Sequence, residues 1–356
     1  MASADSVIDK ILTIAAKKKA SNIHLTVGSF PVLRIDEKLL ELPDEAIVTD
    51  DFLRQLAESW LEISQMQELT KNKEIVFTKE LNKKFRFKIN FFFQKGFLSA
   101  SLKVIYGKIP ALLSLGLPKS VHSLPEKNSG LIAVCGPYDS GRSTTVNSII
   151  EEINRKRNKN IIVIEKPIEY LFTNQKSIIE QREVGRDAIS FAEAIRSAQQ
   201  SDVDVISVGV NSEQEAVPLA VEFANSGRLA FIIMDATSST QAIEEIISSF
   251  PAQEKERAGM LLADSLISII SQRLVPRRGG GLVLAAEVLL ATEAVRSLIK
   301  EGKTKQLTTV LQSSREEGMV SMDQSLAELV LIHEVAVDKA LEYASDKENF
   351  RSIARS

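Results

Sequence analysis

Apolar residues recur at helical spacing from the start of the chain. Val7, Ile8, Ile11, Leu12 and Ala15 fall on one face of a helix predicted over residues 5–19. The period then changes. "NIHLTVG" and "PVLRIDEKLLEL" predict short strands around a turn at Gly28-Ser29-Phe30-Pro31. Residues 51–69 return to helical spacing. "EIVFTKEL" and "KKFRFKINFFFQKG" alternate and are rich in aromatics, which predicts a hairpin, with "FLSASLKVI" as a further strand. Together these make a mixed α+β unit over residues 1–105. The stretch 106–130 carries three prolines and three glycines and predicts a hinge with a short helix inside.

From Leu131 the texture is different. "LIAVC", "NIIVIE", "DVDVISVGV" and "RLAFIIMD" are short apolar runs of the kind found in strands buried on both faces. Helical segments separate them, the first over about 143–157. Strand and helix in alternation predict an α/β domain over residues 131–356, built on a mostly parallel sheet covered on both sides. After about Ser239 the pattern is mainly helical, broken by "RRGGGLVLAAEVLL", a turn with one or two strands. There is no internal repeat.

Composition narrows the function classes. The 356 residues suit two domains, and 44% hydrophobic with 26% charged residues is ordinary for globular proteins. A net charge of -3 gives no global reason to expect nucleic acid. One cysteine, Cys135, excludes a disulfide within the chain and suits a reducing compartment. The first residues lack the order of a secretory signal, and no apolar run reaches the roughly 18 to 20 residues that cross a bilayer. Any membrane contact is expected to be peripheral.

The candidate chemistry centres on "GPYDSGRSTT", residues 136–145. It has the spacing G-x-x-x-x-G-K-[ST] of a phosphate-binding loop, with Arg142 in place of the lysine. The run follows a predicted strand and opens a predicted helix, the context such a loop requires. Gly136 and Gly141 would let the backbone wrap phosphates while amides at the helix start point at the anion. Gly136, Ser140, Gly141, Arg142, Ser143 and Thr144 are therefore the candidate nucleotide-binding residues. Ser143 is the candidate magnesium ligand, with the Thr144 hydroxyl as the other choice. A glycine-bearing turn without a ligand is the competing reading. Arginine keeps the lysine's charge but spreads it over a planar fork with different donor directions, so a weakened phosphate grip is expected.

The chain resembles the PilT-type twitching-motility, or type IV pilus retraction, ATPases and their relatives among type II and type IV secretion ATPases. The resemblance runs through "SNIHLTVGSFPVLRIDEKL", "FRFKINFFFQKG", the glycine loop, "IIVIEKPIEY", "EQREVGRDAISFAEAIRSA", "DVDVISVGV", "GRLAFIIMDATSST" and "AVRSLIKEGKTKQL". It implies a PAS-like N-terminal domain followed by a RecA-like P-loop NTPase domain. It also implies ATP and Mg2+ as ligands and a ring of six subunits, formed by one chain or jointly with an active retraction ATPase. The ring would sit against a pilus inner-membrane platform protein at the cytoplasmic face of the inner membrane.

Several positions depart from the family's pattern. The strand "VISVGV" keeps Gly209 but has Val210 where the family places a glutamate. Glu165-Lys166-Pro167-Ile168-Glu169 carries a lysine where the family has aspartate. Asp235 stands in the family's histidine box, and Arg228 replaces an earlier histidine. By resemblance, Lys95 and Lys103 occupy the places of arginines lent to a neighbouring subunit's site. Loss of a general base costs about 10²- to 10⁴-fold, and loss of an arginine finger about 10³- to 10⁵-fold. Glu165 and Glu169 remain as candidate residual catalytic carboxylates, either of which could equally serve a structural role. The expectation is a degenerate ring subunit, impaired in nucleotide binding and deficient in hydrolysis. An active motor using rearranged acids, or a sensor that binds ATP without cleaving it, is the alternative.

Overall fold

The computed structural model describes residues 4–36, 38–81, 85–105, 107–209, 213 and 215–354. The chain folds into two compact units, Met1–Lys108 and Ile109–Ser356.

In the first unit, α1 (Ala4–Lys17) precedes β1 (Asn22–Thr26), β2 (Val32–Ile35) and β3 (Lys38–Glu41). Helices α2 (Asp50–Trp60) and α3 (Ile63–Asn72) follow, then β4 (Glu74–Leu81), β5 (Phe85–Gln94) and β6 (Phe97–Ile105). The six strands form one antiparallel sheet in the order β3-β2-β1-β6-β5-β4. Alternation along β5 places Phe87, Ile89 and Phe91 in the core. There they meet Ile8 and Leu12 of α1, Leu53 and Leu56 of α2, and Leu69 of α3. Phe91 stacks on Phe77 at 6.0 Å and leans on Trp60 at 6.1 Å. The hairpin expected from "EIVFTKEL" and "KKFRFKINFFFQKG" is β4 paired with β5, Ile75 opposite Phe91.

The second unit opens with two 3-10 turns, Leu112–Ser114 and Lys119–Glu126. Within the stretch read as a hinge, Leu112, Leu117, Val121 and Leu124 join the apolar cluster of the following strand and helix. The elements then alternate: β7 (Gly130–Cys135), α4 (Arg142–Lys156), β8 (Asn160–Glu165), β9 (Ile178–Glu183), α5 (Phe191–Gln199), β10 (Val205–Gly209), α6 (Ala216–Asn225) and β11 (Leu229–Met234). Next come α7 (Ser239–Ser248), α8 (Lys255–Ser265), β12 (Leu266–Pro276) and β13 (Leu282–Leu290). The chain closes with α9 (Glu293–Lys300), α10 (Leu307–Ser313), α11 (Met322–Leu331), α12 (Val337–Tyr343) and α13 (Lys347–Ile353).

The sheet order is β13-β12-β7-β11-β10-β8-β9, parallel except for the β12–β13 pair. Every residue of β7 and β11 is buried. Side chains alternate between two cores: Leu131, Ala133 and Cys135 face the cluster of α5–α8, while Ile132 and Val134 face that of α4. This is why those strands read as unbroken apolar runs. A smaller core joins Val275 and Ala285 to Met322, Leu326 and Phe350. Among the described residues no helix is long and apolar enough to cross a membrane.

Candidate functional site: a glycine loop at the edge of the parallel sheet

In an open parallel sheet, ligands gather beyond the carboxyl ends of the strands. Four strands of the second unit bring the expected residues to that edge. Strand β7 leads into the glycine loop, β8 ends at Glu165, β10 ends at Gly209, and β11 leads into Asp235. Val210 lies outside the described residues.

The loop's shape depends on its glycines. At Gly136 (φ 154°) a Cβ would stand 2.4 Å from the Gln272 carbonyl and 2.5 Å from Ser140 Oγ, so only hydrogen fits. Gly141 has φ 87° and forms the N-cap of α4, with no side chain capping the helix. The amides of the first turn are thus left to a ligand, a ready anion site. Gln272, fully buried on β12, braces the loop by donating to the Ser140 carbonyl at 2.8 Å. Ser143 and Thr144 lie half-buried in that first turn, and the Thr144 hydroxyl is 3.3 Å from the Tyr170 hydroxyl.

Arg142 does not reach into open space. Its side chain is buried, and Nη1 donates both to the Met234 carbonyl at 2.6 Å and to Asp235 Oδ1 at 2.5 Å. The Asp235 side chain is 55% exposed. Arg142 and Asp235, 93 residues apart in sequence, are each other's partner.

Glu165 is buried at the end of β8, where it accepts from Asn147 Nδ2 of α4 at 3.4 Å and from the Glu169 amide at 3.3 Å. Glu169 itself is half-buried, and Lys166 between them is exposed. The segment after β8 is pinned by β9: the Ile168 amide donates to Glu183 at 3.0 Å, and Gln181 bonds both the Phe172 amide and the Tyr170 carbonyl. Asn147 and Gln272 belong to no local motif, and Tyr170 and Gln181 lie within "IIVIEKPIEY" and "EQREVGRDAISFAEAIRSA" without standing out there. Only the fold gives these four side chains their partners.

Other polar and charged positions have structural work. Arg228 stacks over Phe223 at 4.3 Å and donates to the Ala198 and Gln199 carbonyls, closing the end of α5. Asp204 binds the Lys159 ammonium at 2.8 Å and the Asn160 amide at 2.9 Å. Burial pushes its carboxyl up, but those two donors outweigh it and the carboxyl ends below the usual aspartate range. Lys95 and Lys103 lie in the first unit. Lys95 has φ 51° in the two-residue turn with Gly96 that joins β5 to β6, and Lys103 sits on β6 opposite Lys88. Cys135, the last residue of β7, is buried with Sγ 3.9 Å from the Ser238 carbonyl. Burial pushes its thiol up to about 12.

A parallel sheet in this order, with a glycine loop between a buried strand and an uncapped helix, defines a P-loop protein with a RecA-like core. The sequence profile of the type II/IV secretion system protein family matches residues 117–344. The type IV pilus retraction ATPase PilT of Pseudomonas aeruginosa is 33% identical over 345 residues, 96% of this chain and 99% of that one. The type IV pilus ATPase PilU of the same organism is 30% identical over 348 residues, 98% of this chain and 91% of that one. A crystal structure of the pilus retraction motor PilT with bound ADP superposes with a TM-score of 0.83 at 37% identity, covering 96% of this chain and 98% of that one. The chain belongs to the type II/IV secretion system protein family, among its PilT- and PilU-like pilus retraction ATPases.

Proposed function

We propose that this chain is a degenerate pilus-retraction-type ring subunit that holds nucleotide weakly and does not hydrolyse ATP on its own. It would assemble as a hexamer, alone or with an active retraction ATPase, against the pilus or secretion base at the cytoplasmic face of the inner membrane. The observation that carries this reading is the side chain of Arg142, buried and bonded to Met234 and Asp235. In a working loop that position supplies a cation to the outer phosphates. Here the charge is already countered by a neighbouring carboxylate.

The backbone cradle fits a phosphate chain, since Gly136 has room only for hydrogen and α4 begins with no side-chain cap. With nucleotide bound, Ser143 would hold magnesium together with the phosphate oxygens, and ATP would supply the phosphoryl group. Val210 can neither accept a proton nor orient water. Glu165 is held by Asn147 and the Glu169 amide, which supports a positioning role at the end of β8. Lys95 and Lys103 would offer point charges where a bidentate fork is needed.

Magnesium-dependent ATP turnover by the purified full chain tests the reading. No turnover above background is expected, and Arg142→Lys alone should not create any. Turnover abolished by Glu165→Gln would sink the proposal and favour a motor with rearranged acids.

A further inference from the structure

We infer that the Arg142–Asp235 pair makes the glycine loop a reader of nucleoside diphosphate, holding ADP in preference to ATP. The inference rests on the reading of the loop as a nucleotide site, and concerns which phosphate chain that site accepts.

Strands β7 and β11 are neighbours, with Met234 opposite Cys135. Asp235 and Gly136 therefore leave the same sheet edge about one strand spacing, ~4.8 Å, apart. The Asp235 carboxylate is held there by Arg142, on a side chain that remains 55% exposed. A diphosphate that lodges its end group in the loop draws on backbone amides at the start of α4, which need no side chain. A third phosphate must extend past the loop towards the strand ends. It adds a negative charge where the local cation is already neutralised and a carboxylate stands exposed, an arrangement of like charges.

Other cations near that edge are engaged or distant: on β12, the neighbour of β7, Arg273 donates to the Tyr343 carbonyl, and just past that strand Arg277 pairs with Glu334. Lys166 is exposed but leaves β8, and β8 is separated from β11 by β10, a distance of two strand spacings or about 10 Å. Both bonds of Arg142 come from the single nitrogen Nη1. With that side chain only 8% exposed, the backbone amides of α4 remain the loop's main phosphate donors.

The test is titration calorimetry of the full chain with ADP and with ATP, each with magnesium, beside Asp235→Asn and Asp235→Ala. Thermal melts would establish that both variants fold. The natural chain should bind ADP about 10-fold or more tightly than ATP. Asp235→Asn should raise ATP affinity and bring the two within about 3-fold of each other. ATP bound as tightly as ADP by the natural chain overturns the inference, and so does a ratio unchanged in Asp235→Asn, or no binding of either nucleotide by any of the three proteins. If the variants fail to fold, the ratio for the natural chain alone still decides. Turnover of ATP would remove the hydrolysis-deficient reading while leaving this ratio measurable, so the two can fail separately.

Discussion

Two strand-to-helix turns stand side by side at the edge of the parallel sheet, and they are built on opposite plans. The turn from β11 to α7 satisfies itself: Ser238 accepts from the Gln241 amide, Glu287 accepts from the Ser239 amide at 2.8 Å, and Gln241 accepts from the Thr237 amide at 2.9 Å. The turn from β7 to α4 has a left-handed glycine where the other has a capping serine, and no side chain closes its helix. One helix start is finished by its own sequence, and the other is left for an anion. The comparison separates two layers of a binding site. The backbone layer at β7–α4 has the glycine geometry of a phosphate-binding loop, while the Arg142 cation is paired with a side chain delivered from β11.

Backbone shape is where the largest effect lies. Gly136→Ala puts a methyl 2.4 Å from a carbonyl oxygen of β12, and the strand or the loop must move. A loss of about 3 kcal/mol is expected, read as a shift of the denaturation midpoint at unchanged slope. The linking side chain comes next. Asp235→Ala leaves the buried Arg142 guanidinium only the Met234 carbonyl, at a cost of about 1 to 1.5 kcal/mol, discounted for the half-exposed carboxylate.

Removing the cap of the finished turn, Ser238→Ala, should cost about 1 kcal/mol. Replacing the serine just before the N-cap glycine of the open turn should cost almost nothing. Ser140 Oγ is buried with no hydrogen-bond partner among the described residues, so Ser140→Ala should fall within about 0.5 kcal/mol of the natural chain or stabilise it. Equal losses for the two serines would break the comparison.

A control sits at the opposite edge of the same sheet, where Asp204 ties the starts of β8 and β10. Its carboxyl is depressed in the folded state, so its contribution is complete above the ordinary aspartate value. That contribution fades as the pH falls through the lower folded value. Asp204→Asn should flatten the acid limb of the stability curve slightly, by at most about 0.5 kcal/mol given the exposure of the pair.

Much of this arrangement is legible in the residues. The apolar runs of β7, β8, β10 and β11 and the alternation in β4 and β5 mark their own strands, because burial on two faces or one leaves a distinct period. Strand β9 leaves no such mark because "IIEQRE" is a polar edge strand, with Ile178 exposed. Strand β12 is obscured for the opposite reason: "LISIISQRLVP" continues an apolar stretch from α8, and period alone does not separate buried helix from buried strand. At the site, the glycine loop and its arginine are readable from spacing. That Arg142 turns to Asp235, or that Gln272 braces the loop, depends on strand order, which spacing does not encode.

The single thiol beneath the loop has a practical consequence. Cys135 is fully buried, its protonated form is favoured up to about pH 12, and no other cysteine competes with it. Thiolate is the reactive species, so an alkylating reagent added to the folded chain should modify the protein only when β7 is uncovered. The labelling rate is then a clock for opening of the sheet centre. Slowing of that clock by added nucleotide would report ligand at the loop without any catalytic readout.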